Sequence, residues 1–213
     1  ADAGPMTEET GQTTPQNFQR IVPEGEDRAR LVCETCGFIN YENPKIVVGS
    51  VVHDGDRILL CRRAIDPRKG FWTLPAGFLE QHETTMAGAM REAWEEAQAK
   101  IEIDALLAVY SIPRLSQVQL IYRAHLAAPE IAAGPESAEV ALFRYEDVPW
   151  KEIAFPSVHW ALGQDREVAG RATFAPFVNP AGVRGDREQA GGLDRGLGFA
   201  RAVGSACNGS SGQ

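Results

Sequence analysis

Long apolar runs are missing from this chain of 213 residues. None approaches the roughly 20 residues that a helix needs to cross a bilayer, so no membrane partner is expected. Cysteine is scarce, with four residues unevenly spaced, which does not make a disulfide framework. The opening stretch, Ala1 to Gln19, has no apolar signal core. Secretion is therefore not expected, and the cytoplasm is the expected location. Met6 reads as a natural start, with Ala1 to Pro5 as a cloning remnant. Basic residues are outnumbered, 21 Lys and Arg against 29 Asp and Glu, for a net charge of −8. That balance argues against a nucleic-acid partner, which calls for a basic surface. It leaves small anionic substrates open, because a metal ion and a few arginines neutralise them locally. Internal repeats are also missing.

What the chain does have is an ordinary apolar fraction, 44%, and a length suited to one domain with appendages. Residues 1–27 read as a flexible leader, 28–43 as a cysteine knuckle, 44–169 as the folded domain and 170–213 as a disordered Gly/Ala/Arg-rich tail. Lys45 to His53 is dense in β-branched residues and predicts a buried strand. Asp54-Gly55-Asp56 is a hairpin signal, and Arg57 to Arg63 the returning strand. Phe71 to Leu74, Ile101 to Ile112, Val118 to Ala127 and Ala138 to Tyr145 read as further strands. One helix is expected from a Thr84 cap to about Gln98, with Ala87, Met90, Ala93, Trp94 and Ala97 as its apolar face. A second is expected over Ser157 to Val168. Strands interleaved with two helices predict an α/β sandwich around a mixed sheet.

The chemistry concentrates between Gly77 and Ala99. Gly77 is followed after five residues by Glu83, then after seven by Arg91-Glu92-Ala93-Trp94-Glu95-Glu96. The carboxylates at 92, 95 and 96 share one helix face. Like charges held that close usually serve to bind a divalent cation, Mg2+ or Mn2+, which takes carboxylate oxygens. Glu83 and Arg91 are expected to pair and brace the loop against the helix. Gly77 allows a backbone turn that brings Ala76 beside it.

This pattern resembles the signature box of the Nudix hydrolases. The resemblance spans roughly residues 30 to 165 and departs from the box at Gln98, where glycine is usual, which suggests a different helix exit. It implies the Nudix fold, an α/β/α sandwich, and divalent-metal-dependent hydrolysis of a nucleoside diphosphate derivative. It implies Glu92, Glu95, Glu96 and the Ala76 carbonyl as metal ligands. It also implies catalytic roles around Glu92, Glu95, Arg91 and Glu83. The proton acceptor is open between a box glutamate, Glu92 or Glu95, and the later Glu136 or Glu139, because some members supply a base from a loop after the box. Arg62, Arg63 and Arg114 are candidates for phosphate, Phe78 and Tyr122 for base stacking, and Glu139 and His82 for substrate contact.

Cys33-x-x-Cys36-Gly37 has the spacing of half a zinc ribbon. The pattern Tyr41-Glu42-Asn43-Pro44, Phe71 to Phe78 and Gly134 to Ser137 is similar to the ribbon-bearing pyrophosphatases of flavin adenine dinucleotide, NADH and ADP-ribose. The Ser-Gln-Pro-Trp-Pro-Phe-Pro element of the NADH enzymes is replaced by Ser111 to Gln117, which weakens NADH. Zinc needs four ligands and the second cysteine pair is absent. The knuckle is therefore either a degenerate, metal-free remnant or one that a second chain completes. Cys61 is expected in the core. The alternatives to a hydrolase are a non-catalytic nucleotide sensor and a zinc-ribbon adaptor; a homodimer stays open.

Overall fold

The computed structural model describes residues 17–171 and 173–182 and divides into two units, Ala1–Pro44 and Lys45–Gln213. In the first, β1 (Phe18–Ile21), β2 (Arg30–Cys33) and β3 (Ile39–Asn40) form an antiparallel sheet in that order. Part of the expected leader is therefore strand, with Phe18 opposite Cys33 and Ile21 opposite Arg30. The Glu26 carboxylate accepts from the Tyr41 hydroxyl at 2.9 Å and pairs with Arg30 at 3.3 Å. The Arg30 guanidinium lies over the Tyr41 ring.

The second unit carries β4 (Lys45–Asp54), β5 (Arg57–Arg63), β6 (Trp72–Thr73), β7 (Ala76–Phe78), α1 (Thr85–Ala97), β8 (Ile101–Ile112), β9 (Gln117–Leu126), β10 (Ser137–Arg144) and α2 (Pro156–Glu167). The main path of the sheet runs β10-β5-β4-β9-β8. β4 and β9 are parallel and the other pairs antiparallel, so the sheet is mixed as expected. β4 is apolar on both faces because both are covered. Val52 packs on the side of Ala93 and Ala97 of α1, and Val51 on the side of Trp160 and Leu162 of α2. Cys61 is buried in the first of these layers, in the core role read for it. Among the described residues no helix is long and apolar enough to cross a membrane.

Two details position the site. β4 pairs with β5 only near the hairpin, at His53–Ile58 and Asp54–Arg57. Beyond that β5 takes β6 and β4 takes β7, so the sheet splits and the chain between the strands crosses the gap. Gly49 permits the crossing: a Cβ there would lie 2.5 Å from the Ala76 Cβ and 2.9 Å from the Pro75 carbonyl oxygen. The second detail is the setting of α1. The Thr84 side chain caps it, accepting from the Ala87 N–H at 3.1 Å.

The buried face of α1 differs from the expected one. Gly88, Ala89, Glu92, Ala93, Glu96 and Ala97 turn inward, whereas Met90 and Trp94 are 39% and 49% exposed. Small residues let the helix axis lie close to the sheet, and the bulky pair is turned out. The helix exit also needs correction. Gln98 adopts the left-handed conformation, φ 47° and ψ 28°, and its N–H reaches the Ala93 and Trp94 carbonyls. This is the turn that glycine usually makes, made here by glutamine.

Part of the stretch expected as tail is docked on the second unit. Phe177 bridges β8, exchanging backbone hydrogen bonds with Leu107 and Val109, and Asn179 brackets the Ser111 backbone with both ends of its amide. Phe174 and Phe177 pack on the α2-side core. Residues 183–213, including Cys207, lie outside the described residues.

Candidate active site

Arg91 is the hub of the site. Its Nε and Nη2 donate to the two Glu83 carboxylate oxygens at 3.1 and 2.8 Å, and Nη2 also donates to the Phe78 carbonyl at 2.9 Å. The bidentate pair ties the loop to the helix as expected, a geometry that Lys does not reproduce. The Glu80 N–H adds a 2.7 Å bond to Glu83. Together, with the Arg91 bonds first, these hold the Glu83 carboxyl below the usual carboxylate range. The remaining Arg91 nitrogen, Nη1, donates to Glu92 at 2.7 Å and Glu95 at 2.8 Å.

The three box glutamates occupy different environments. Glu95 is exposed, whereas Glu92 and Glu96 are buried. Burial pushes the Glu92 carboxyl upward despite Arg91. Burial likewise pushes Glu96 up to about 8, against the Ala76 N–H that donates to it at 3.3 Å. Glu92 lies against the backbone of Gly77: a Cβ there would fall 2.3 Å from a Glu92 carboxylate oxygen. The box glycine therefore makes room for the glutamate.

A fourth carboxylate arrives from the loop before β10. Ala132 and Gly134 donate to the Ala97 and Glu96 carbonyls at 2.9 and 3.0 Å, continuing the end of α1. A Cβ on Gly134 would sit 1.7 Å from the Glu95 carbonyl oxygen. That close seat puts Glu136 on the wall of the site, near enough to raise Glu92 and Glu96 further.

These groups border a cavity of about 1270 Å³ in the split of the sheet. Arg63 and Phe78 line it, as does Ala76. The Arg63 Nε donates to the Pro67 carbonyl at 2.8 Å, and its guanidinium lies over Phe155. Arg62 and Glu139 pair with each other at 3.4 Å and do not line the cavity, and His82 does not line it either. Tyr122 is core, its hydroxyl 2.6 Å from Thr85 Oγ1. Sequence reasoning missed the far wall, where Gln119 of β9, Phe155 just before α2 and His159 of α2 line the cavity. The Phe155-Pro156 step marks a helix start but carries no sign of which cavity it faces.

The chain belongs to the Nudix family. A NUDIX domain family model matches residues 43–161 and a Nudix N-terminal zinc-ribbon model matches residues 16–42. Among curated relatives, the ADP-ribose pyrophosphatase of Methanocaldococcus jannaschii is 30% identical over 119 residues, covering 54% of this chain and 69% of that protein. A MutT-like protein of Streptomyces ambofaciens is 35% identical over 102 residues, covering 48% of this chain and 64% of that one. The crystal structure of a NUDIX hydrolase from Nitrosomonas europaea superposes with a TM-score of 0.72 at 43% identity, covering 76% of this chain and 93% of that one. The protein is a Nudix hydrolase with the α/β fold of that family.

The oxygen donors suit a hard divalent cation, and two of them are carboxylates buried with few donors of their own. No three His, Cys, Asp or Glu side chains form a ready-made cation cage among the described residues, and Arg91 bridges Glu92 and Glu95. The N-terminal unit of one chain does not by itself supply a four-ligand zinc site. Cys33 and Cys36 are the sole Cys or His residues before His53, and four ligands are required.

Proposed function

We propose that this Nudix hydrolase cleaves the diphosphate of a nucleoside diphosphate derivative of the ADP-ribose, flavin adenine dinucleotide or NADH type and releases a nucleoside monophosphate. The carrying observation is the gathering of Glu92, Glu95, Glu96 and Glu136 on one wall of the cavity, with Arg63 on the same cavity. ADP-ribose leads the substrates because the Methanocaldococcus relative carries that activity in its name.

Glu92, Glu95, Glu96 and the Ala76 carbonyl would hold Mg2+ or Mn2+. Such an ion stabilises charge on phosphoryl oxygens and acidifies water. The protein's own part is positioning and proton transfer. Arg63 faces the substrate phosphates. Glu136 takes the proton from the attacking water as its oxygen bonds to phosphorus, and the bond from that phosphorus to the bridging oxygen breaks. The Glu83–Arg91 pair fixes the loop that presents Ala76 and Gly77, an interaction valued for geometry more than stability.

The test is a hydrolysis screen with Mg2+ over ADP-ribose, flavin adenine dinucleotide, NADH and diadenosine compounds, with products read by mass. Glu96→Gln is expected to lower kcat by about a hundredfold or more. The bridging of Glu92 and Glu95 by Arg91 favours a second reading, a nucleotide sensor that binds without turnover. Tight binding with no product from any of these compounds would select it.

A further inference from the structure

The N-terminal unit holds two cysteines that the hydrolase site does not use and zinc cannot fully claim. Cys33 ends β2, and the chain turns at once into β3. The Gly37 N–H closes on the Cys33 carbonyl at 2.9 Å, with Gly37 at φ 72°, and the Cys33 N–H closes on the Phe38 carbonyl at 2.8 Å. This closed turn holds both cysteines, Cys33 at its start and Cys36 just before Gly37. Hydrogen bonding from the backbone of Cys36 and then Thr35 holds the Cys33 thiol below the usual cysteine range. Both thiols are free, Cys36 exposed and Cys33 half-buried.

The unit has another closure. Glu26, on the turn after β1, binds both Arg30 of β2 and Tyr41 just beyond β3. That clamp ties the ends of the hairpin together without sulfur, leaving the cysteines available for chemistry.

We propose that Cys33 and Cys36 form a thiol–disulfide exchange pair that reacts with small-molecule disulfides. The Cys33 thiolate attacks one sulfur of R–S–S–R. That bond breaks, a Cys33–S–S–R bond forms, and one RS⁻ leaves and takes a proton from water. The Cys36 thiolate then attacks the Cys33 sulfur, closing the Cys33–Cys36 disulfide and expelling the second RS⁻. Two electrons pass from the knuckle to the small disulfide, which ends as two thiols. The N–H groups around Cys33 stabilise the thiolate that attacks. Cys61 is excluded, being buried in the other unit.

The experiment uses the full chain with Cys207→Ser, purified without chelator. Metal analysis should find less than a tenth of a zinc per chain. Treatment with glutathione disulfide should remove two thiols per chain and lower the intact mass by two hydrogens, and dithiothreitol should reverse both changes. Adding Cys36→Ser should trap a single glutathione adduct on Cys33, located by peptide mass, in a chain whose circular dichroism is unchanged. The proposal is overturned by one zinc per chain, by half a zinc per chain with two copies sharing it, by thiols that stay reduced, or by two separate adducts in place of the internal bond.

Discussion

Two glycines separate function from stability at the scale of single residues. At Gly77 a Cβ would meet the end of the Glu92 side chain, which can rotate away. Gly77→Ala should leave the urea midpoint nearly unchanged while kcat falls tenfold or more, because Glu92 is displaced. At Gly134 the same atom would meet the Glu95 main-chain carbonyl, which cannot move without the helix. Gly134→Ala should cost about 1–3 kcal/mol in equilibrium unfolding as well as activity. An equal loss of stability in both variants would contradict this contrast. The sequence showed much at this scale. Gly77, Glu83, Arg91 and the three box glutamates stand at fixed spacing, and the structure gathers them. It could not separate Glu136 from Glu139. The two lie three residues apart, and the difference is made by Arg62 across the sheet, which takes Glu139, and by the seat of Gly134 on α1, which places Glu136.

At the scale of elements, α1 explains which local signals sufficed. Thr84 as cap and the helix length were legible, because capping is a contact within one turn. The buried face was not. Hydrophobicity pointed to Met90 and Trp94, but the sheet accepts only small residues at that distance and the cavity claims Glu92 and Glu96. Trp94→Gln should therefore shift stability by no more than about 0.5 kcal/mol, whereas Ala93→Leu should cost about 1–3 kcal/mol, both read by urea unfolding. Gln98 replaces the usual glycine and suggests a different exit, yet it adopts the left-handed turn. Gln98→Gly should stabilise the chain by up to about 1 kcal/mol, since glycine enters that region without a Cβ penalty. The docking of Phe177 and Asn179 on β8 was equally hidden, because it joins residues far apart in sequence.

For the whole molecule, the strands were legible one by one and pointed to a mixed sheet, while the strand order and the split between β4 and β5 that opens the cavity depend on pairing partners far apart in sequence. One wall of that cavity holds His159, which stacks on Trp150. Burial holds its imidazole below the usual histidine range. The unfolded chain therefore binds the proton first, and stability present above about pH 6.5 is lost as pH falls. Glu96, pushed up to about 8, acts in the opposite direction over the same window, so the His159 contribution is read by difference. His159→Phe should gain urea midpoint relative to the unmodified chain as pH falls from 7.5 to 5.5, and a constant difference between the two would assign no part of the pH dependence to His159. The measurement that bears most directly on the function is turnover of ADP-ribose during a Mg2+ titration, with the nucleoside monophosphate read by mass, in the unmodified chain and in Glu96→Gln. Product that rises with Mg2+ and falls about a hundredfold or more in the variant is predicted. Turnover that is indifferent to both the cation and Glu96 would contradict the account.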